Sequence, residues 1–264
     1  MQRMQIIGLL TDYGMRDYYA GALKGVILGL VAKVQVVDIT HDIDPHNILH
    51  GAFVLRQVWP WYPAGTIFVA VVDPGVGSSR RIILGQYAGR YVIAPDNGLV
   101  TLLHRDFPVE AMHVVEERRF FLPELSATFH GRDMMAPAAA HLANGVKPRE
   151  FGRATDRLEM LPLAHCADST GGSLSGRVLY VDRFGTMVTN IRQEQLRSPR
   201  VQERAPSVIV NGRNIGPVRA AFHEVAVGEP IALLGSAGLL EIAVNQGRAV
   251  DQFGPLGTTS VEIR

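Results

Sequence analysis

The sequence is poor in cysteine and in long apolar runs. Cys166 is the one cysteine in 264 residues, which excludes an intramolecular disulfide and a cysteine-cluster metal site and fits a reducing compartment. No apolar run reaches the ~20 residues of a membrane span, and residues 1–10 lack the basic-then-apolar progression of a signal peptide. We therefore expect a cytoplasmic protein with no membrane partner.

An excess of one charge is also missing. Lys and Arg number 26 against 25 Asp and Glu, so the formal net charge is +1, and no basic block exceeds a few residues. Binding to a polyanion needs a concentrated basic surface. The charge pattern therefore predicts no nucleic-acid partner.

What is present is the composition of an ordinary globular protein, with 47% hydrophobic and 19% charged residues. Such a chain can bury a full core in one large or two modest domains. Short apolar runs at residues 6–10, 34–37 and 66–72 predict strands, and the segments between them have helical periodicity. This alternation predicts an α/β domain whose mostly parallel sheet is flanked by helices.

The pattern changes after residue 73. Residues 81–84 and 91–94 predict a β-hairpin, and residues 134–142 predict a helix. Small polar residues without periodicity follow, so we predict an N-terminal α/β domain over residues 1–166 and a smaller C-terminal β domain over 167–264. Short strands at regular spacing indicate that this second domain is a barrel or a sandwich.

Residues 69–81, VAVVDPGVGSSRR, are the most informative segment. An apolar run ends at Asp73, two glycines turn the chain, and Arg80 follows. A phosphate-binding glycine loop would need a third glycine and a following helix, or a Gly-Lys-Ser/Thr sequence, and neither is present. Because ligands of open α/β sheets bind beyond the carboxyl ends of the strands, Asp73 is a candidate site residue.

Three further side chains have candidate positions. Asp12 and Asp38 follow or end predicted strands, although not necessarily at the same point as Asp73. His130 precedes the predicted helix in the sequence FHGRD, where a loop histidine can accept a proton at neutral pH.

The segment HDIDPH with a later histidine, covering residues 41–50, superficially resembles a metal cluster. Pro45 interrupts the spacing, and only His46 and His50 are expected to share a helical face. We expect helix-capping carboxylates and solvated histidines here, with a metal-dependent hydrolase as the alternative.

Seven motifs spread over nearly the whole chain resemble the S-adenosyl-L-methionine (SAM) hydroxide adenosyltransferase family, which includes fluorinase and chlorinase. The resemblance implies an enzyme that converts SAM and water into adenosine and methionine. It also implies an N-terminal α/β domain, a C-terminal β domain and a homotrimer with active sites between subunits. The motifs are TDYG at 11–14, DITH at 38–41, VDPGVG at 72–77 with Arg80, PDNG at 95–98, FHGRD at 129–133, residues 182–190, and Gly235-Ser236 with residues 241–244.

By this resemblance the hydrolase triad falls on Asp73, Arg80 and His130, and the aspartate that binds both ribose hydroxyls falls on Asp12. Halogenases carry Tyr where this chain has Asp73, and fluorinase carries a halide-binding Ser where it has Gly131. Both departures favour water as the nucleophile over a halide.

The resemblance also assigns substrate-binding residues in the C-terminal domain. SAM is implied as substrate, with no cofactor and no metal. A SAM- or adenosine-binding sensor without turnover and a chlorinase-like halogenase stay open as alternatives. The implied binding residues are Phe184, Asn190, Ser236, Glu241 and Val244.

Overall fold

The computed structural model describes residues 4–163, 167–168, 173–203, 206–255, 257 and 259–264. The chain forms two compact units, Met1–Leu161 and Pro162–Arg264. The predicted boundary at residue 166, like Cys166 itself, lies outside the described residues. No helix in the described part of the chain has the length and apolar character needed to cross a membrane.

The N-terminal unit alternates strands and helices along the chain. The elements are β1 (Gln5–Thr11), α1 (Tyr19–Leu30), β2 (Val34–Thr40), α2 (Ile48–Val58), β3 (Ile67–Val71), β4 (Ile82–Tyr87), β5 (Arg90–Pro95), α3 (Thr101–Asp106), β6 (Val109–Val114) and α4 (Ala136–Ala143). The six strands form one sheet in the order β2-β1-β3-β5-β4-β6. Strands β2, β1, β3 and β5 run parallel, whereas β4 is antiparallel to both of its neighbours. The predicted mostly parallel sheet is confirmed.

Helices cover both faces of this sheet. Every residue of β3 is buried, which explains its continuous apolar run. Val69 and Val71 belong to the core that also holds residues of α1 and α4, and these two helices pack together. Phe68 points the other way and stacks on Trp59, just after α2, at 4.7 Å between ring centroids.

The chain order reverses around β1. From β1 the chain crosses through α1 to β2 on one side, and then through α2 to β3 on the other side. In doubly wound sheets this reversal opens a crevice beyond the carboxyl ends of the two strands. The fold therefore provides a ligand site at the ends of β1 and β3.

The described part of the C-terminal unit consists mostly of short strands. The elements are β7 (Ala167–Asp168), β8 (Leu174–Val181), β9 (Met187–Arg192), α5 (Gln193–Leu196), α6 (Pro199–Gln202), β10 (Val208–Val210), β11 (Arg213–Gly216), β12 (Val218–Arg219), β13 (Pro230–Leu234), β14 (Leu239–Val244), α7 (Ala249–Phe253) and β15 (Ser260–Ile263). These strands form a nine-stranded sheet, in which β7 pairs with β8 beside the path β11-β10-β15-β8-β9-β14-β13-β12. Because β11 also approaches β13, the sheet is close to a barrel, and the predicted β architecture is confirmed.

Candidate active site

A cavity of about 380 Å³ lies at the crevice that the sheet topology provides. Asp12 follows β1 and Asp73 lies two residues beyond β3, and both side chains line this cavity. One Asp12 oxygen accepts a hydrogen bond from the His46 backbone N–H at 3.0 Å. His130 lines the same cavity, so one space joins three of the side chains expected from the sequence.

Asp73, Arg80 and His130, here called the triad, are in direct contact. Arg80 Nε donates to both carboxylate oxygens of Asp73, at 2.9 and 2.8 Å. Arg80 Nη2 lies 3.0 Å from His130 Nδ1. The side chains of Asp73 and Arg80 are only 4% and 9% exposed, so this ion pair is largely removed from solvent.

The contact with Arg80 fixes the state of His130. A guanidinium can only donate, so His130 Nδ1 must accept and the imidazole must be neutral, with its hydrogen on Nε2. Burial of the ring, followed by the Arg80 charge, lowers the pKa of His130 below its ordinary 6.5, although Asp73 and Asp133 oppose the shift. The electrostatics therefore agree with the neutral tautomer that the geometry requires.

Gly77 allows the turn that carries Arg80 to lie against the loop that carries His130. Its φ of +82° lies in the left-handed region, and an added Cβ would stand 2.6 Å from the Ala127 carbonyl oxygen. Only glycine allows this approach of the two backbones. The turn that carries Arg80 is thereby held against the loop that carries His130, and, as predicted, no helix follows the glycines.

Asp133 secures the His130 loop from the other side. Its fully buried carboxylate accepts from the Ser126 backbone N–H at 2.7 Å and from Arg132 Nε at 2.6 Å. A π-helical turn, Gly131–Met135, then leads into α4. Such turns often occur at functional sites.

The candidate Asp38 and the arginine that follows Arg80 have other partners. Asp38 bonds to Lys24 Nζ at 2.6 Å and to His41 Nε2 at 3.1 Å, and it does not line the cavity. Arg81 turns away from Arg80 and donates through Nε to Asp96 at 2.9 Å. The two adjacent arginines thus serve separate ion pairs.

The 41–50 segment differs from the expectation in its helix cap and in the positions of its histidines. His46 and His50 do not share a helical face, because α2 begins at Ile48 and Asn47 caps it by accepting from the His50 backbone N–H. His41 is buried, with Nδ1 2.8 Å from the Thr11 hydroxyl, instead of solvated. Within the described residues, no group of three His, Cys, Asp or Glu side chains could hold a metal ion.

The predicted binding residues of the C-terminal unit lie on its hairpins. Phe184, in the β8–β9 connection, is 76% exposed, and Ser236 is exposed in the turn after β13. Asn190 on β9 accepts from the Arg177 backbone N–H at 2.8 Å. Glu241 lies on the adjacent strand β14, which ends at the buried Val244.

Glu241 sits tightly against the backbone of its own hairpin. A Cβ on Gly235 would stand only 1.7 Å from Glu241 Oε1. Burial, assisted by the charge of Asp182, raises the pKa of the Glu241 carboxyl. This carboxyl therefore holds its proton more tightly than an exposed glutamate does.

Sequence reasoning missed the aromatic wall of the cavity. Tyr13, Tyr18, Tyr19 and Phe129 line it and pack edge-on or tilted against one another. The available signal was the position of Tyr13 directly after Asp12 at a strand end. Alternation cannot reveal this wall, because its members come from two loops and the start of α1.

Two protein-family models match most of the chain. The model described as "SAM hydroxide adenosyltransferase N-terminal domain" matches residues 7–152, and that of the C-terminal domain matches residues 176–260. The chain belongs to the SAM hydroxide adenosyltransferase family.

Its relatives include named enzymes. It is 40% identical to an (R)-S-adenosyl-L-methionine hydrolase of Thermus thermophilus, over 95% of this chain and 96% of the relative. A fluorinase of an Actinoplanes species is 28% identical, over 91% of both chains. The crystal structure of an uncharacterized conserved protein from Thermotoga maritima has a TM-score of 0.89 and 34% identity, covering 97% of this chain and 99% of that one.

Proposed function

We propose that this protein hydrolyses SAM to adenosine and L-methionine, with water attacking the ribose C5′ carbon. The observation that carries the proposal is the buried Asp73–Arg80 pair in contact with His130, on a cavity that also holds Asp12. The hydrolase names of relatives at 36–40% identity support the reaction.

In the proposed reaction a bond forms between the water oxygen and C5′ while the bond between C5′ and sulfur breaks. The electron pair of that bond goes to sulfur, so the cationic sulfonium leaves as a neutral thioether. The attacking water gives up one proton to the site and then to solvent. Because the leaving group carries no negative charge, the step needs no metal to neutralise it, and we propose that SAM is bound without a cofactor.

Asp73 is the triad member best placed to receive a hydrogen of the water. Its carboxylate has about four lone-pair sites, and the two Nε bonds to Arg80 leave capacity on Oδ1. Arg80 is permanently charged and fixes the carboxylate in one orientation. Arg80 Nη2 donates both to Asp73 Oδ2 and to His130 Nδ1, so His130 holds the guanidinium against the carboxylate.

Asp12 has the separate role of fixing the sugar. An ionised carboxylate only accepts hydrogen bonds, so it can receive both ribose hydroxyls while keeping its bond from the His46 backbone. Fixing C5′ in line with the water and sulfur is a substantial contribution, since a near-attack geometry can supply ~7–11 kcal/mol of a barrier.

We further propose that Phe184 lies against the adenosine, and that Asn190, Ser236, Glu241 and the backbone near Val244 help to hold the adenine or methionine moiety. Following the family resemblance, they would act from a neighbouring subunit of a homotrimer. The exposed Phe184 ring suits contact with a ligand or a second subunit. The composition supports a cytoplasmic location, with a small-molecule substrate and no nucleic-acid or membrane partner.

The direct test is to incubate the purified protein with SAM and follow adenosine and methionine by chromatography. Equal amounts of the two products, unchanged by a chelator, are expected. Binding of SAM without product at high enzyme load would favour a sensor. A 5′-halo-adenosine formed on addition of chloride or fluoride would favour a halogenase, and loss of activity with the chelator would favour a metal-dependent hydrolase.

A further inference from the structure

The Tyr13 hydroxyl occupies the space beside Gly131. A Cβ built on Gly131 would stand 2.5 Å from Tyr13 Oη but 3.6 Å from the ring carbon that carries it. The Tyr13 ring packs edge-on against Phe129, with 5.8 Å between centroids. Both tyrosine and glycine line the cavity that contains Asp73. The hydroxyl is therefore held next to the triad, in space that any side chain at position 131 would take.

This hydroxyl remains neutral and unused by the protein. Burial, together with the negative charges of Asp12 and Asp73, raises the pKa of Tyr13, so the phenol keeps its hydrogen at physiological pH. No hydrogen bond to Tyr13 Oη occurs among the residues that the structure describes. A neutral phenol both donates and accepts, and this one has both capacities free for a ligand.

A water that attacks carbon must point a lone pair at it, which requires acceptors for its two hydrogens. Asp73 offers one. His130 offers none in this arrangement, because Nδ1 accepts from Arg80 and Nε2 carries the hydrogen. Other hydroxyls also face the cavity: those of Ser126 and Thr128 bond to each other at 3.1 Å, and Tyr18 and Tyr19 are exposed. Tyr13 Oη differs from them because it lies beside Gly131, the neighbour of His130, and has no bond of its own within the described residues, so it is the best placed second acceptor.

We propose that Tyr13 is a further catalytic residue, whose hydroxyl oxygen accepts the second hydrogen of the attacking water while Asp73 accepts the first. Gly131 is glycine because the hydroxyl needs its space. The water then presents a lone pair to C5′, and the proton it loses leaves through Asp73. This assignment rests on the proposed hydrolysis of SAM.

The kinetic test is Tyr13→Phe, which removes one oxygen and keeps the ring. We expect kcat for adenosine formation to fall roughly tenfold, as for one hydrogen bond lost in the transition state, with KM for SAM within about twofold. Tyr87→Phe is the matched control: Tyr87 is also a buried tyrosine of this unit with a raised pKa, its hydroxyl contacts His104, and it does not line the cavity. Its kcat should match that of the unmodified protein.

A double-mutant cycle tests the geometry without relying on activity. Gly131→Ala should lower Tm in the unmodified protein, since the methyl group and Oη compete for the same space. In the Tyr13→Phe background the nearest atom is 3.6 Å away, so the same substitution should lower Tm much less. The coupling is expected in thermal unfolding measured with or without SAM.

The possible results of these experiments lead to different conclusions about Tyr13, Gly131 and the hydrolysis of SAM. A lower kcat with stable KM in Tyr13→Phe, together with coupling in Tm, supports the proposal. Unchanged kcat in Tyr13→Phe overturns the role of Tyr13 while leaving hydrolysis intact, and absence of coupling overturns the steric explanation of Gly131. If the unmodified protein forms no adenosine from SAM, the proposed function fails and this assignment fails with it.

Discussion

At the scale of single residues, the proposed chemistry depends most on the Asp73–Arg80 pair. Both partners are nearly buried; Arg80 Nε donates to both carboxylate oxygens of Asp73, and Nη2 donates to Oδ2. Removing one partner of a buried ion pair typically costs about 3–5 kcal/mol. A substitution here therefore has to be judged on stability as well as on turnover.

The first prediction concerns Asp73→Asn, which keeps the shape and removes the charge. We expect kcat to fall on the order of 100-fold or more, with a smaller change in KM, because an amide oxygen can accept a hydrogen bond from the water but cannot take its proton. Thermal unfolding and adenosine binding measured alongside distinguish chemistry from unfolding. A folded variant with near-normal turnover would contradict the role of Asp73.

The second prediction concerns pH. The pKa of His130 is lowered by burial and by Arg80, so the neutral form is favoured in the folded protein. Stability from this group is present above its unfolded pKa of about 6.5 and is lost as pH falls through the lower folded value. Protonation of Nδ1 also breaks the bond to Arg80, so kcat should decline on acidification with a midpoint below 6.5.

Turnover measured from acidic to neutral pH checks this, with His130→Gln as the comparison. That variant should turn over slowly and lose the part of the acid limb that belongs to the imidazole. An acid limb with an unchanged midpoint in His130→Gln would assign the titration to another group.

These residues show which features of the site could be predicted from the sequence and which could not. The carboxyl-end position of Asp73 and the absence of a following helix were predictable, because an apolar run and a glycine turn are local patterns. The Arg80–His130 contact was not predictable from spacing, since fifty residues separate the two. The tautomer of His130 was out of reach for the same reason, because it depends on that contact.

At the scale of elements, the turn at residues 75–80 works only if it can lie against the loop at residues 126–130. Gly77 supplies the positive φ and the missing Cβ at that crossing. The glycine turn was predictable as a turn. Its partner loop was not, because a close backbone approach leaves no periodic pattern in the sequence.

The third prediction is that Gly77→Ala lowers both stability and kcat. The left-handed conformation alone costs an alanine about 1–2 kcal/mol, and the clash with the Ala127 carbonyl displaces Arg80 from His130. Gly145→Ala is the control, since Gly145 also has a positive φ, +94°, but nothing lies within 4 Å of its added Cβ. It should lose stability without losing kcat when both variants are assayed as folded protein.

Equal kcat in the two glycine variants would show that the Gly77 crossing does not position the triad.

Elements with weak sequence patterns were not predicted in the N-terminal unit. β6 and the short helix α3 carry no clear alternation or long helical period, and their structure comes from pairing with β4 and packing on α2. Tertiary contacts decide such segments.

At the scale of the whole molecule, the order of elements predicted the α/β class of the first unit and the β class of the second. The crevice followed from topology, because β1 lies between β2 and β3. The predicted substrate-binding residues divide between the two units, with Asp12 in one and the Phe184 to Val244 group in the other.

The fourth prediction is a homotrimer in solution. Sedimentation or light scattering should give three chains per particle, and Phe184→Ala should weaken adenosine binding while the particle mass and the unfolding temperature stay unchanged. A monomer with full activity would contradict the proposed sharing of active sites between subunits.

In the proposed reaction, water attacks C5′ of SAM at the triad. The most direct measurement is hydrolysis in water enriched in heavy oxygen, with mass spectrometry of both products. We expect one heavy oxygen in the 5′-hydroxyl of adenosine, none incorporated into methionine, and loss of labelled adenosine in Asp73→Asn. Unlabelled adenosine, label in methionine, or labelled adenosine formed equally fast by Asp73→Asn would rule out this mechanism.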